Sequence, residues 1–232
     1  PDGRPGVSLL FFAVSATELA KQVERRISQC VLTCPTTAAY AGFSDGDRIG
    51  LGKALRFFGD GWQISKKLDG ERYWRVPVMD GEFIVQESTF VRKAIGGGNI
   101  LILAANIDAA LGASEAAVAA MRKVPNVIMP FPGGVVRSGS KVGSKYPALP
   151  ASTNDAYCPT LRAATHSALD DQTGAVLEIV IDGLTEADIA LAMKRGVGAI
   201  RALGPQSGIH RISAGNYGGK LGQYHFYLRD AL

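Results

Sequence analysis

A single carboxylate stands where a strand ought to be apolar. In the run "AVLEIVIDG", Glu178 lies between Val176 and Val180. Side chains alternate along a strand, so Val176, Glu178 and Val180 share one face and Leu177, Ile179 and Ile181 the other. Two readings follow. In one, the second face is solvated and the valines are there for their β-propensity. In the other, Glu178 is a partly desolvated carboxyl whose pKa is pushed upward, so that it keeps a proton and donates a hydrogen bond near neutral pH. A group of the second kind suits proton transfer and the stabilisation of a developing oxyanion.

The stretch "FPGGVVRSGSKVGSKYPALPASTNDAYCPT", from Phe131 to Thr160, carries a different chemistry. Gly134 and Gly139 have the spacing of the two glycines in a phosphate-binding G-x-x-x-x-G-K-[ST] loop. Ser140-Lys141 then reverses the order that loop requires, and Gly143, Pro147 and Pro150 oppose a long helix after it. What remains is a set of backbone N–H groups accompanied by Arg137, Lys141 and Lys145, suited to an anionic or carbonyl-rich ligand. A solvated surface loop with incidental lysines has the same composition.

Other nucleophile and metal chemistries find less support. Cys30, Cys34 and Cys158 are too few and too far apart for a disulfide framework, and Cys30-x-x-x-Cys34 has no neighbouring histidines to complete a zinc set. Reduced thiols in a cytoplasmic protein are expected. Cys158 could act covalently, but no histidine lies close to it in sequence. His166, His210 and His225 are the only histidines and read as structural or surface residues. Over 232 residues, 47% are hydrophobic and 20% charged, and the formal charge is +4 with mixed signs throughout. That balance describes a globular chain and indicates neither a nucleic-acid stripe nor a polybasic membrane anchor. No apolar run has transmembrane length. Pro1 with no signal-like region ahead of it suggests a downstream part of a longer product.

These groups need elements to hold them. "GVSLLFFAVS" reads as a strand, followed by a helix over "ATELAKQVERRISQCVL" with Leu19, Val23, Ile27 and Cys30 or Val31 on one stripe and Ser15 and Glu18 as a capping box. "NILILAANI" is a strand, "GASEAAVAAMRKV" a helix capped by Ser114, and "NVIMPF" a further strand. "AVLEIVIDG" leads to a Thr185-Glu186-Ala187-Asp188 helix start, a stripe of Ile189, Met193, Val197 and Ile200, and then the strands "IHRISAG" and "GQYHFYLRD". Phe57 to Glu87 reads as hairpins with Asp-Gly turns. The fold class is therefore α+β, with helices on one face of largely antiparallel sheets, the pattern of ferredoxin-like lobes. A lobe boundary within 131–160 places the glycine-rich stretch in a cleft.

The strings "PDGRPGV", "FFGDG", "GEFIV", "FPGGVVRSGSKVGSK", "ASTNDAYCPT" and "ISAGNYGGKLGQY" occur in this order, and the chain resembles the formylmethanofuran:tetrahydromethanopterin formyltransferase family from Pro1 to its C-terminus. The resemblance implies a segment ahead of "PDGRPGV", so residues 1–145 are expected to form a proximal lobe that lacks its N-terminal part and carries inserted hairpins. Residues 146–232 are expected to form a distal ferredoxin-like lobe. It also implies two ferredoxin-like α/β lobes, assembly as a homotetramer, no metal, and no tightly bound cofactor. Formylmethanofuran (or a bacterial analogue) and tetrahydromethanopterin enter as carrier substrates of one-carbon metabolism, and bacterial relatives work within a formyltransferase/hydrolase complex. A subunit that only scaffolds such a complex is the alternative. Glu178 matches a glutamate in the family's "EIVI-G" strand that lies near the reacting centre. The candidate substrate-binding residues are Arg137, Ser138, Ser140, Lys141, Lys145, Asn154, Asp155 and Tyr157, with Asn216 and Lys220 in "AGNYGGKLG" next.

Overall fold

The computed structural model describes residues 2–215 and 223–231. Two compact units, Pro1–Lys93 and Ala94–Leu232, divide the chain. Both combine helices with small, mainly antiparallel sheets.

The first unit begins with helix α1 (Ala16–Arg26), which runs on through a π-helical turn (Ile27–Val31), and holds a short helix α2 (Gly52–Leu55). The Ser15 hydroxyl accepts from the Glu18 N–H at 3.2 Å, which is half of the expected capping box; the Glu18 carboxylate instead accepts from Gln22. Val23 and Ile27 are buried and Leu19 and Val31 pack beside them, while Cys30 is exposed, so Val31 completes the stripe. The unit's strands are β1 (Ala38–Ala39), β2 (Asp47–Gly50), β3 (Ile64–Leu68), β4 (Glu71–Val78), β5 (Gly81–Gln86) and β6 (Ser88–Val91). They form a sheet ordered β1-β5-β4-β3, with β1 parallel to β5 and the other pairs antiparallel, and a separate β2-β6 pair. Two of the three Asp-Gly signals lie at hairpin turns as expected, Asp69-Gly70 between β3 and β4 and Asp80-Gly81 between β4 and β5, whereas Asp60-Gly61 follows a 3-10 turn (Arg56–Gly59) and leads into β3. Between β3 and β4, Asp69 (φ 50°) and Gly70 (φ 83°) both take the left-handed backbone that a two-residue turn needs. The strand expected over "GVSLLFFAVS" is not formed: Val7 and Val14 are exposed, and none of the described residues supplies a ladder for its N–H and C=O groups.

In the second unit, β7 (Ile95–Ala104), α3 (Ile107–Met121), β8 (Val127–Ile128), β11 (Ala175–Gly183), α4 (Glu186–Ala202) and β12 (Ile209–Ser213) follow in chain order, with the small β9 (Lys141–Val142) and β10 (Ala151–Ser152) pair between β8 and β11. Its main sheet is antiparallel throughout and ordered β12-β7-β11-β8. Ile100 and Ile102 of β7 and Ile179 and Ile181 of β11 are wholly buried beneath Ala117, Val118 and Met121 of α3 and the full α4 stripe of Ile189, Met193, Val197 and Ile200. Both helices thus cover one face. Thr185 caps α4 as its sequence suggested, accepting from Asp188 N–H at 3.2 Å.

Three expectations give way here. Ser114 does not start α3: Asn106 caps it, and Ser114 lies buried inside, its hydroxyl donating to the Ala110 carbonyl at 2.7 Å. The described part of "GQYHFYLRD" is no strand and ends in a 3-10 turn (Leu228–Ala231). The 145/146 boundary falls inside the second unit, because β7 and β11, on either side of it, are paired along their length.

Candidate functional site

Glu178 occupies the middle of β11, directly opposite Leu101 of β7, and Leu101 in turn faces Ser213 of β12. Ser213, Leu101 and Glu178 therefore form one cross-strand row on the face away from α3 and α4. This face is not wet at Glu178. The residue is only 4% exposed, more deeply buried than the half-buried valines beside it. Its carboxylate Oε1 accepts from Asn99 Nδ2 at 2.7 Å, and Asn99, itself 7% exposed, accepts through Oδ1 from the Gly215 N–H at 2.9 Å. Gly215 is required for that approach, since a Cβ there would stand 2.5 Å from Asn99 Nδ2.

Backbone pairing brings the glycine-rich stretch to the same place. Val136 forms an isolated antiparallel bridge with Glu178, donating to its carbonyl at 2.7 Å and accepting from its N–H at 3.0 Å. Arg137 and Ser138 follow at once, and both are exposed. Ser138, Gly139 and Ser140 then line a pocket of about 460 Å³, opposite Ala151, Ser152 and Thr153. The β9-β10 pair holds these two segments together, with Lys141 in register with Ser152. The Walker-like spacing finds no phosphate loop: Gly134 and Gly139 both have positive φ, and a two-residue strand follows where that loop would launch a helix.

Lys141 is ion-paired with Asp155. Their hydrogen bond holds the Asp155 carboxyl below the usual carboxylate range, with smaller help from the nearby Lys145 charge. The cation is therefore partly engaged inside the protein. Asn154 is half-buried, and its carbonyl accepts from the Tyr157 N–H at 2.9 Å and from the Cys158 thiol at 3.3 Å. Tyr157 Oη lies 3.5 Å from Ser213 Oγ, over the end of the row that contains Glu178. Lys145 is exposed. Asn216 and Lys220 lie outside the described residues.

The Val136 bridge, the β9-β10 pair, the Lys141–Asp155 ion pair and the Tyr157–Ser213 contact thus link Glu178 with Ser138, Ser140, Lys141, Asp155 and Tyr157. Sequence reasoning missed Asn99, Ser213, Ser152 and Thr153. Asn99 was findable in principle, as the one polar side chain opening the apolar run "NILILA", but its partner is set by strand register. The Cys158 thiol meets the Asn154 carbonyl and the Thr153 hydroxyl, and all three histidines are exposed. Among the described residues no cluster of three His, Cys, Asp or Glu side chains could hold a metal ion, and no helix is long and apolar enough to cross a membrane.

Farther along β11, Asp182 accepts from the Gly97 N–H at 3.1 Å. Burial pushes its carboxyl up, and that N–H offsets only part of the rise.

Comparison with known proteins places this geometry in a family. Residues 1–78 match the family model described as formylmethanofuran-tetrahydromethanopterin formyltransferase. Residues 81–231 match the model described as "FTR, proximal lobe", so the name proximal goes to the C-terminal part and not, as expected, to residues 1–145. The formylmethanofuran–tetrahydromethanopterin formyltransferase of Methylococcus capsulatus is 63% identical over 100% of this chain and 78% of its own. A component of the formyltransferase/hydrolase complex of Methylorubrum extorquens is 50% identical over 100% of this chain and 76% of its own. The crystal structure of that complex with methylofuran contains a chain similar to this one with a TM-score of 0.87 at 48% identity, covering 94% of this chain and 72% of that one. The Methanosarcina barkeri formyltransferase gives a TM-score of 0.84 at 40% identity, over 94% of this chain and 73% of its own. With both family models spanning nearly all of its length, the chain belongs to the formylmethanofuran–tetrahydromethanopterin formyltransferase family.

Proposed function

We propose that this formyltransferase moves a formyl group reversibly between formylmethanofuran, or a bacterial furan analogue, and tetrahydromethanopterin in one-carbon metabolism, with a protonated Glu178 assisting direct attack. The observation that carries the reading is a carboxyl 4% exposed on the strand to whose edge the glycine-rich stretch is pinned.

The chemistry explains why such a group is wanted. The amine nitrogen of the pterin attacks the formamide carbon, forming one C–N bond and placing the carbonyl electrons on oxygen as a tetrahedral oxyanion. Collapse breaks the original C–N bond, and the proton lost by the attacking nitrogen ends on the departing amine. No protein nucleophile is needed. A neutral carboxylic acid can donate to the oxyanion or pass the proton between the two nitrogens. Burial disfavours the charged form of a carboxyl in general, which suits Glu178 to that role.

Arg137, Ser138, Ser140, Lys141, Lys145, Asn154, Asp155 and Tyr157, with Asn216 and Lys220, are the residues proposed to hold the two carriers. Methanofuran carries glutamyl carboxylates and the pterin a phosphate-bearing tail, both of which suit cations and backbone donors. The β-α-β-β-α-β order of the second unit, with strands ordered β12-β7-β11-β8, supports reading it as a ferredoxin-like lobe. Assembly as a homotetramer in the cytoplasm completes the reading, and the Methylorubrum extorquens relative, a component of a formyltransferase/hydrolase complex, supports a place beside hydrolase subunits.

A spectrophotometric formyl-transfer assay with purified protein and both carriers tests the activity. Turnover that depends on both carriers is expected; none from an intact, correctly assembled sample favours the scaffold.

A further inference from the structure

We infer that Asp155 is an internal counter-ion for Lys141, a stand-in for a carrier's anionic group that this group must displace to reach the cation. The inference rests on the reading of Lys141 as a carrier-binding residue and gives Asp155 its part in that reading.

The stretch from 131 to 160 holds three cations, Arg137, Lys141 and Lys145, and Asp155 is its one acidic residue. The carboxylate is committed to Lys141. The pair also has a place in the site. Ser138, Gly139 and Ser140, which wall one side of the pocket of about 460 Å³, run straight into Lys141, and Ala151, Ser152 and Thr153, which wall the other, end two residues before Asp155. Lys141 is moreover in register with Ser152 across the β9-β10 ribbon. The ion pair therefore ties together the two segments that form the pocket, and it does so with the only carboxylate in either.

A carboxylate that served only to aim Lys141 would have to leave its charge available, and this one does not. An ammonium bound to a carboxylate makes a pair of no net charge, so the field it presents to an arriving anion is weak. The hydrogen bond from Lys141 holds the Asp155 carboxyl below the usual carboxylate range, and the Lys145 charge adds to that, so the carboxylate stays ionised near neutral pH. The pair is nevertheless easy to open. Lys141 keeps 44% of its side-chain surface exposed and Asp155 32%, and ion pairs that water reaches to this extent hold weakly. A phosphate or carboxylate on a carrier offers Lys141 the same oxygen chemistry as Asp155 does, with further contacts elsewhere on the carrier to tip the exchange. A small inorganic anion has no such contacts. When the carrier leaves, Asp155 takes the cation back, which suits a site that must release its carrier after every transfer.

The formyl-transfer assay tests this through Asp155→Asn, which keeps the shape and removes the charge. KM for at least one carrier is expected to fall about two- to fivefold, and inorganic phosphate to inhibit the variant more strongly than the parent by a similar factor. A damaged loop does not produce such a gain. A fall confined to the pterin carrier assigns its phosphate to Lys141, and a fall confined to the furan carrier assigns its glutamyl carboxylates; either supports the displacement. In a Lys141→Ala background the same Asp155→Asn change is expected to bring no gain, because no cation remains to be released. Unchanged or raised KM values for Asp155→Asn overturn the inference, since they make Asp155 a support for Lys141 and not its competitor. A gain that persists in the Lys141→Ala background overturns it too, as does phosphate inhibition that is absent or equal in the two proteins. The binding reading of Lys141 fails separately, when Lys141→Ala alone leaves KM for both carriers at the parent value. If Asp155→Asn does not fold, Asp155→Ser removes the charge with a smaller side chain and carries the same measurements.

Discussion

The two faces of the β7-β11 pair are built from the same strands, yet they solve opposite problems. Towards α3 and α4 the strands present Ile100, Ile102, Ile179 and Ile181, all wholly buried and apolar. On the other face the pair offers Asn99, Leu101 and Glu178 and is joined by Ser213 and Tyr157, while Val136 pairs along the edge of β11. An apolar face needs only close packing. A buried polar face needs a partner for each group it desolvates, and Asn99 serves both Glu178 and Gly215. On the proposed function, stability and chemistry are divided between the faces: the helix-covered one fixes the frame, and the other holds polar groups at the positions that frame dictates.

Substitutions on each face should separate these roles. The largest expected effect is on chemistry. Glu178→Gln keeps the shape and a donor but cannot exchange a proton, so turnover should fall by about 10²–10⁴-fold if the carboxyl relays the proton. Steady-state kinetics on the folded variant measure this, and a loss of only a few fold points to simple hydrogen bonding. On the helix face, Ile102→Ala should instead cost about 2–5 kcal/mol of stability through the cavity it leaves, seen in denaturant unfolding. The folded fraction should still turn over near the parent rate. A reversal, with Ile102→Ala hitting turnover and Glu178→Gln hitting only stability, would overthrow the division between the faces.

Smaller effects are expected around the polar face. Lys141→Ala removes a charge-assisted donor worth about 1.5–3 kcal/mol, so KM for at least one carrier should rise roughly tenfold to a hundredfold while the fold persists. Unchanged constants for both carriers take Lys141 out of the binding set. The least effect belongs to Asp182→Asn. Burial raises the Asp182 pKa above its unfolded value, so the folded state binds more protons there and the parent loses stability as pH rises through that window. The asparagine keeps an acceptor for the Gly97 N–H and has no charge to desolvate. Its advantage in melting temperature should therefore open as pH rises above about 4 and be absent below it. A pH-independent difference would contradict the assignment.

Much of the frame was legible in the sequence because it depends on local periodicity. The α4 stripe, its Thr185 cap, the β11 alternation and the hairpins at Asp69-Gly70 and Asp80-Gly81 each follow from residues a few positions apart, and each is present. What failed depended on partners distant in sequence. "GVSLLFFAVS" has the composition of a strand but lacks a ladder among the described residues, and Ser114 has the chemistry of a cap but lies a full helical segment beyond Asn106. The candidate site divides in the same way. Glu178 was visible as a breach of alternation, and Lys141 and Asp155 as polar residues in a pliable stretch. Their pairing, the Val136 bridge and the Asn99–Glu178 hydrogen bond arise from a hairpin and a strand register that no single segment encodes.

Everything proposed for the polar face depends on its buried carboxyl carrying the chemistry. The turnover of Glu178→Ala across pH 6 to 9 decides this, alongside a circular dichroism spectrum and unfolding curve showing the variant folded. Turnover should be lowered at every pH by orders of magnitude, with a modest loss of stability, since deleting a carboxyl that is costly to desolvate offsets part of the roughly 1–3 kcal/mol cost of leaving the Asn99 amide without its acceptor. Near-normal turnover across that range in the folded variant would refute the catalytic role and return Glu178 to a structural one on the strand.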